Sequence, residues 1–186
     1  MRLCRSDMLA VAGACLLGVF SVTGCLNPFA PQIDDGSILT ELVTDQSTPE
    51  EVLSNFQYAY TFRDSLLYSD VLDSAFVFQY FDPDQGSSGL FVSWTRETDL
   101  KTTGQLLRSF DVVALEWLNT IYSLSDTVVT PQGGREAQET LAKSFRLDLS
   151  NPDVAFTVSG FAIFTLRQDP HDSKWRIMRW VDQSDL

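Results

Sequence analysis

Thiols, imidazoles and cations are all scarce in this chain, and each scarcity removes a class of function. The three cysteines, Cys4, Cys15 and Cys25, all fall in the first 25 of 186 residues. The body of the chain therefore holds neither a disulfide framework nor a cysteine-built metal centre. Histidine occurs once, as His171 inside Asp169-Pro170-His171-Asp172. That composition reads as an exposed turn between two strands, a poor place for a His–Asp catalytic pair. Lysine and arginine number 13 against 25 aspartates and glutamates, a net charge of −12. Such a surface repels polyanions, so nucleic acid is excluded as a partner. No cofactor or metal is expected from any motif.

Long apolar runs are confined to the N-terminus. Arg2 and Arg5 precede an uncharged stretch from Met8 to Val22, which ends on Val22-Thr23-Gly24-Cys25. Basic start, apolar run and small-residue close make a secretory signal, and the final tetrapeptide resembles the bacterial lipoprotein signal. That resemblance implies removal of residues 1–24, lipid on Cys25 and a permanent membrane anchor. An uncleaved anchor is the alternative, but residues 8–24 lie at the short limit of the ~17–25 that span a bilayer. Pro28 and Pro31 follow at once. Residues 25–46 then form the lipidated cysteine and tether, and 47–186 a single domain. Leu26, rather than Asp, after the cysteine suggests the outer over the inner membrane of a cell envelope. Loss of residues 1–24 removes two Arg and one Asp, leaving 13 − 2 = 11 basic and 25 − 1 = 24 acidic residues, a charge of −13.

In the body, Thr48-Pro49-Glu50-Glu51 is a helix start, with Thr48 as N-cap, Pro49 first and Glu51 third. Val52, Phe56, Ala59 and Tyr60 follow at helical spacing. Asp64 is placed to cap a second short helix over 65–72. Residues 74–81 and 90–94 read as strands and 95–108 as a helix. Alternation marks further strands over 110–124 and 141–149, separated by a loop or ragged edge over 126–139. Asp82, Asp84 and Gly86 have the spacing of a calcium loop, but Ser93 stands where the bidentate Glu is required, so a turn is expected. Ser150-Asn151-Pro152-Asp153 is another turn, leading into a long hairpin from Val154 to Asp182.

Three stretches, Thr48 to Asp64, Ser74 to Phe78 and Lys174 to Asp182, resemble the nuclear transport factor 2-like (SnoaL-like) superfamily. The resemblance implies an α+β fold, a cone-shaped, strongly curved, mostly antiparallel sheet wrapped around N-terminal helices and enclosing a pocket. Its members include ketosteroid isomerases, polyketide cyclases, scytalone dehydratase and limonene epoxide hydrolase, whose sites use Asp or His–Asp pairs. Sheet-to-sheet dimers are frequent among them.

Strand parity then sorts the side chains. Val154, Phe156, Val158, Gly160, Ala162, Phe164 and Leu166 are expected inside, with Gly160 and Ala162 leaving room. Tyr60, Trp117, Asn119, Lys143, Gly160, Ala162 and Arg179 form the candidate pocket. Lys143, Arg179 and Asn119 would favour an anionic ligand if they converge; alternatively they reach solvent or pair with acids such as Glu116 and Asp182. Phe161, Ile163, Met178 and Trp180 form a candidate homodimer face, unless a segment such as 38–43 covers them. These features suggest a lipid-anchored binding or assembly module for a small molecule or envelope protein, without catalysis. The alternative is an isomerase, dehydratase or cyclase with an acidic residue in the cone. A carboxylate buried in an apolar pocket with a shifted pKa would distinguish the enzyme.

Overall fold

The computed structural model describes residues 42–130 and 133–185. The signal, Cys25 and most of the tether lie outside them, and no helix among the described residues is long and apolar enough to cross a membrane. Of the segment 38–43, only Leu42 and Val43 are described, and both are exposed.

Helix α1 (Pro49–Thr61) begins where the capping residues place it. The Glu51 amide donates to Thr48 Oγ1 at 3.3 Å, while Glu51 Oε2 accepts from the Ser47 amide at 2.7 Å. The reciprocal arm of the cap thus reaches one residue further back than the usual box. Asp64 Oδ1 accepts from the amides of Leu66 and Leu67 at 2.9 and 3.0 Å and starts α2 (Ser65–Val71). Then come β1 (Leu72–Asp82), β2 (Leu90–Thr95), α3 (Arg96–Ser109), β3 (Val112–Val129), β4 (Arg135–Ser150), β5 (Ala155–Gln168) and β6 (Trp175–Asp185). The strands form one curved, unclosed sheet in the order β2-β1-β6-β5-β4-β3. Every neighbouring pair is antiparallel except β1 with β6.

The expected turns carry their own hydrogen bonds. Asn151 Oδ1 accepts from the amides of Asp153 and Val154, each at 3.0 Å. In the β5–β6 turn, Arg176 bonds Asp169 Oδ2 at 3.1 Å and Asp172 Oδ2 at 2.5 Å, and it pulls the exposed Asp172 carboxyl down to about 2. His171 is exposed between them. Asp82 Oδ1 accepts from the Asp84 amide at 3.0 Å, making that loop a turn.

One expectation fails in the middle of the chain. Instead of a loop over 126–139, β3 continues to Val129 and β4 resumes at Arg135. Beyond Trp117 every residue of β3 is exposed. A strand that buries neither face has no apolar alternation to reveal it.

The core lies between α1 and the concave face of the sheet. Phe56, 1 % exposed, is its centre. Its ring lies 4.9 to 5.8 Å from those of Tyr60, Tyr68, Trp117, Phe164 and Trp180. Trp117 also donates its indole N–H to the Leu53 carbonyl at 2.9 Å, tying β3 to α1. On the far side, Asp73 is 2 % exposed and receives Arg167 through both oxygens, at 2.7 and 2.8 Å. That pair clamps the start of β1 to the end of β5.

Replacing Phe56 by Ala is expected to cost about 4 kcal/mol, the scale of a large aromatic lost from a packed core. Arg167→Met leaves a shielded carboxylate unpaired and is expected to cost about 3 kcal/mol; urea unfolding measures both. Burial by itself would raise the Asp73 pKa, but Arg167 and the Ala75 amide hold it below the ordinary value. Its contribution is therefore present above the unfolded value of about 3.9 and lost as pH falls through the lower folded value. Arg167→Met is expected to remove that acid-side loss.

Candidate functional site

Beneath α1 the packing leaves an apolar chamber of about 140 Å³. Phe56 and Tyr60 form its roof, Leu106 of α3 closes one side, and Leu115, Trp117, Phe145, Leu147 and Val158 supply the sheet wall. Trp180, Asp182 and Ser184 of β6 complete it. Asp182 and Ser184 also line a second, larger cleft of about 550 Å³ with Tyr80, Phe81, Pro83 and Phe91. The carboxyl of Asp182 thus stands in the wall of both.

β6 presents these residues because it carries a bulge. Thr165 pairs with Arg179 but Leu166 with Ile177, so Met178 is the extra residue. Ile177 points inward before it and is fully buried. After it the faces exchange, and Trp180 and Asp182 turn inward opposite Phe164 and Ala162.

Two polar atoms in this wall are shielded and unpartnered: Trp180 Nε1 and Asp182 Oδ1. Asp182 Oδ2 accepts from Ser184 Oγ at 2.9 Å. Buried polar groups nearly always find partners, because an unmade bond costs the desolvation of the group. Burial pushes the Asp182 carboxyl above the ordinary range, against the hydrogen bonds from Ser184 and the Gln183 amide. Burial also pushes the Tyr60 phenol up, with the Asp99 and Asp182 carboxylates adding to the effect, so it stays neutral.

Asp99, a buried acid like Asp73, provides a contrast to Asp182. It is 2 % exposed, and its pKa is likewise raised by burial. Yet Tyr68 Oη donates to Oδ2 at 2.6 Å and Trp94 Nε1 to Oδ1 at 3.1 Å. Both its oxygens are occupied, and it joins α3 to α2 and β2. Of Asp99 and Asp182, only Asp182 has an oxygen without a hydrogen-bond partner.

The residues singled out by parity do not gather as a set. Tyr60 and Trp117 line the chamber. Asn119 is exposed where β3 bulges, and Lys143 Nζ reaches Thr120 Oγ1 at 3.0 Å. Arg179 lies on the outer face, bonded to Gln79 Oε1. The two cations and the amide do not converge, and the anionic-ligand expectation falls with them. Gly160 and Ala162 are absent from the chamber wall as well. Gly160 instead admits the β6 backbone, since a Cβ there would stand 2.4 Å from Ser184 Cα. At the start of β5, Val154 and Phe156 are exposed rather than buried, with Phe156 edge-on to Phe110 at the end of α3, 6.0 Å away.

The candidate dimer face divides. Phe161 is 46 % exposed and Ile163 lies beside it on the convex side, but Met178 occupies the bulge. Trp180 packs inward against Phe56 and Phe78, at 5.4 and 4.8 Å. Parity reasoning missed Trp180 and Asp182 because it ran unbroken through β6. The signal was the odd spacing of Trp175 and Trp180, which share an inner face only if one residue between them bulges. Among the described residues no group of three or more His, Cys, Asp or Glu side chains gathers to hold a metal.

No family model and no curated protein matches the sequence. Solved structures do match in shape. The β subunit of a proposed aromatic-ring-hydroxylating dioxygenase from Novosphingobium aromaticivorans is 8% identical, with 76% of this chain and 89% of that chain covered and a TM-score of 0.54. A proposed scytalone dehydratase from the same organism is 10% identical over 81% of this chain and 87% of its own, with a TM-score of 0.51. A conserved protein from Planctomyces limnophilus is 13% identical over 80% of this chain and 98% of its own, at 0.50. Likeness at these identities is one of fold.

A raised carboxyl pKa makes ionisation costly in the folded state. The stability tied to Asp182 is therefore fully present below the unfolded value of about 3.9 and lost as pH rises through the folded value. Asp182→Asn, which cannot ionise, is expected to have a higher thermal midpoint than the parent at pH 7 and to lose that advantage at pH 3. A lower midpoint at pH 7 would mean that the carboxylate has a partner in solution.

Proposed function

Taking the nuclear transport factor 2-like cone as its fold, we propose that this domain binds one compact, mainly apolar small molecule in the chamber beneath α1. Trp180 Nε1 and the Asp182 carboxyl are its polar anchors. The observation that carries this reading is the pair of unpartnered polar atoms in an otherwise apolar wall. A chamber of about 140 Å³ is close to a cavity of about 150 Å³ that admits benzene. The ligand is then one ring in size. A carbonyl or hydroxyl oxygen on that ring accepts from the indole N–H and, when Asp182 is protonated, from its carboxyl. A carboxylate-bearing ligand would meet Asp182 and a protein of net charge −12, which disfavours it.

A second reading adds proton transfer. A carboxyl whose pKa is lifted by burial, beside apolar walls, has the kind of environment that general acid–base chemistry uses. Isomerase, dehydratase or cyclase chemistry would place the reacting proton at Asp182 Oδ1, with Trp180 N–H holding the oxygen on which charge develops.

The N-terminal sequence supports a place for this pocket in a cell envelope, held to the outer membrane by lipid on Cys25 through the tether 25–46.

Phenol and cyclohex-2-enone are suitable probes, read by the fluorescence of Trp117 and Trp180 and by calorimetry. Saturable binding is expected, roughly tenfold weaker in Asp182→Ala for the loss of about 1.4 kcal/mol of hydrogen bonding, and absent in Val158→Phe, whose ring fills the chamber. The reading fails if neither probe saturates in the millimolar range, or if Val158→Phe binds as the parent does. For the anchor, Cys25→Ser is expected to move the protein out of the membrane fraction and to abolish the lipid mass on its N-terminal peptide.

A further inference from the structure

β3 is the last strand of the sheet, and its outer edge meets no strand among the described residues. Past the irregularities around Thr120, Tyr122 to Val129 runs in unbroken register with Ala142 to Arg135. That leaves a straight row of peptide groups on the far side, which is a template for another strand. Natural sheets blunt such edges by keeping them short or by placing Lys or Pro on them. β2, at the opposite edge, has 6 residues and passes at once into α3. β3 has 18 residues without a Lys, Arg or Pro. One amide in this stretch is occupied locally, that of Thr127, which donates to Asp126 Oδ1 at 2.7 Å.

The side chains are unusual for so acidic a chain. Residues 118–130 carry one charge, Asp126. Leu124 is 62 % exposed and Val129 65 %. Tyr122 pairs with Ala142, which pairs with Ile163, so an apolar row on the convex face runs out to this edge.

We propose that the β3 edge pairs with β3 of a second copy of the chain, antiparallel about a two-fold axis, joining the two sheets into one. The sequence is self-complementary for this. A two-fold placed anywhere from Tyr122 to Ser125 sets each Asp126 opposite an uncharged residue of the other copy between 118 and 124. Most other surfaces of a protein with net charge −12 repel their own copy. Here like charges are absent from the contact, and apolar cross-strand pairs replace exposed Leu and Val. The proposal is independent of the chamber and its ligand.

The test is the mass of the full chain in non-ionic detergent, by sedimentation and native mass spectrometry. The parent is expected to be a dimer. Leu124→Lys and, separately, Val129→Lys should each be monomeric, or weaken dimerisation at least tenfold; both positions are exposed, so the monomer fold is retained. Phe161→Asp, on the convex face away from the edge, should leave the dimer intact. A monomeric parent overturns the proposal. So does a dimer that survives both lysine variants, or one that only Phe161→Asp dissolves, since the sheet face would then be the interface.

Discussion

The fold turns on the packing of rings around Phe56. α1 contributes one face of apolar side chains, and the sheet offers aromatics from β3, β5 and β6 to receive it. Offset and edge-on contacts between rings hold geometry as well as area, so the helix cannot slide along the sheet without losing several at once. The ring cluster fills most of the cone and leaves a remainder of one ring's volume beside it. The site is a by-product of how that cluster stops short of Leu147, Val158 and Asp182.

Ionisable groups in the body of this protein fall into two kinds, and the difference is one of partners rather than depth. Asp73 and Asp99 are nearly inaccessible, but each has both oxygens engaged, by Arg167 and the Ala75 amide in one case and by Tyr68 and Trp94 in the other. They join elements. Asp182 is less deeply placed yet has a shielded oxygen without a hydrogen-bond partner. A group of that kind weakens the fold at neutral pH, and proteins commonly keep such groups where binding or chemistry needs them.

Much of the architecture was legible in the sequence. Thr48, Pro49 and Glu51 announced α1, Asp64 announced α2, and the apolar alternation of β5 located the inner wall, because each signal is local. What was illegible depended on partners distant in sequence. The far end of β3 left no alternation, since beyond Trp117 both its faces are wet. The parallel joining of β1 to β6 has no marker in either strand. The site residues were missed for a similar reason. A bulge is a relation between two strands, and only the pairing of Thr165 and Leu166 with Arg179 and Ile177 reveals that Met178 is extra. Tyr60 and Trp117 were reachable from the sequence because neither depends on that register.

The bulge at Met178 makes pairing register, rather than residue identity, the determinant of what the cone contains. Remove Met178 and Ile177 would be followed directly by Arg179, a regular alternation that keeps Trp180 and Asp182 facing the helices. Keep the residue but flatten the bulge, and Val181 and Gln183 would face the helices while Trp180 and Asp182 met solvent, with no side chain altered. Relatives of this chain that lack one residue between Ile177 and Arg179 would therefore keep its interior chemistry on a regular strand. Alignments that allow no gap in that stretch would match residues that lie on opposite sides of the sheet.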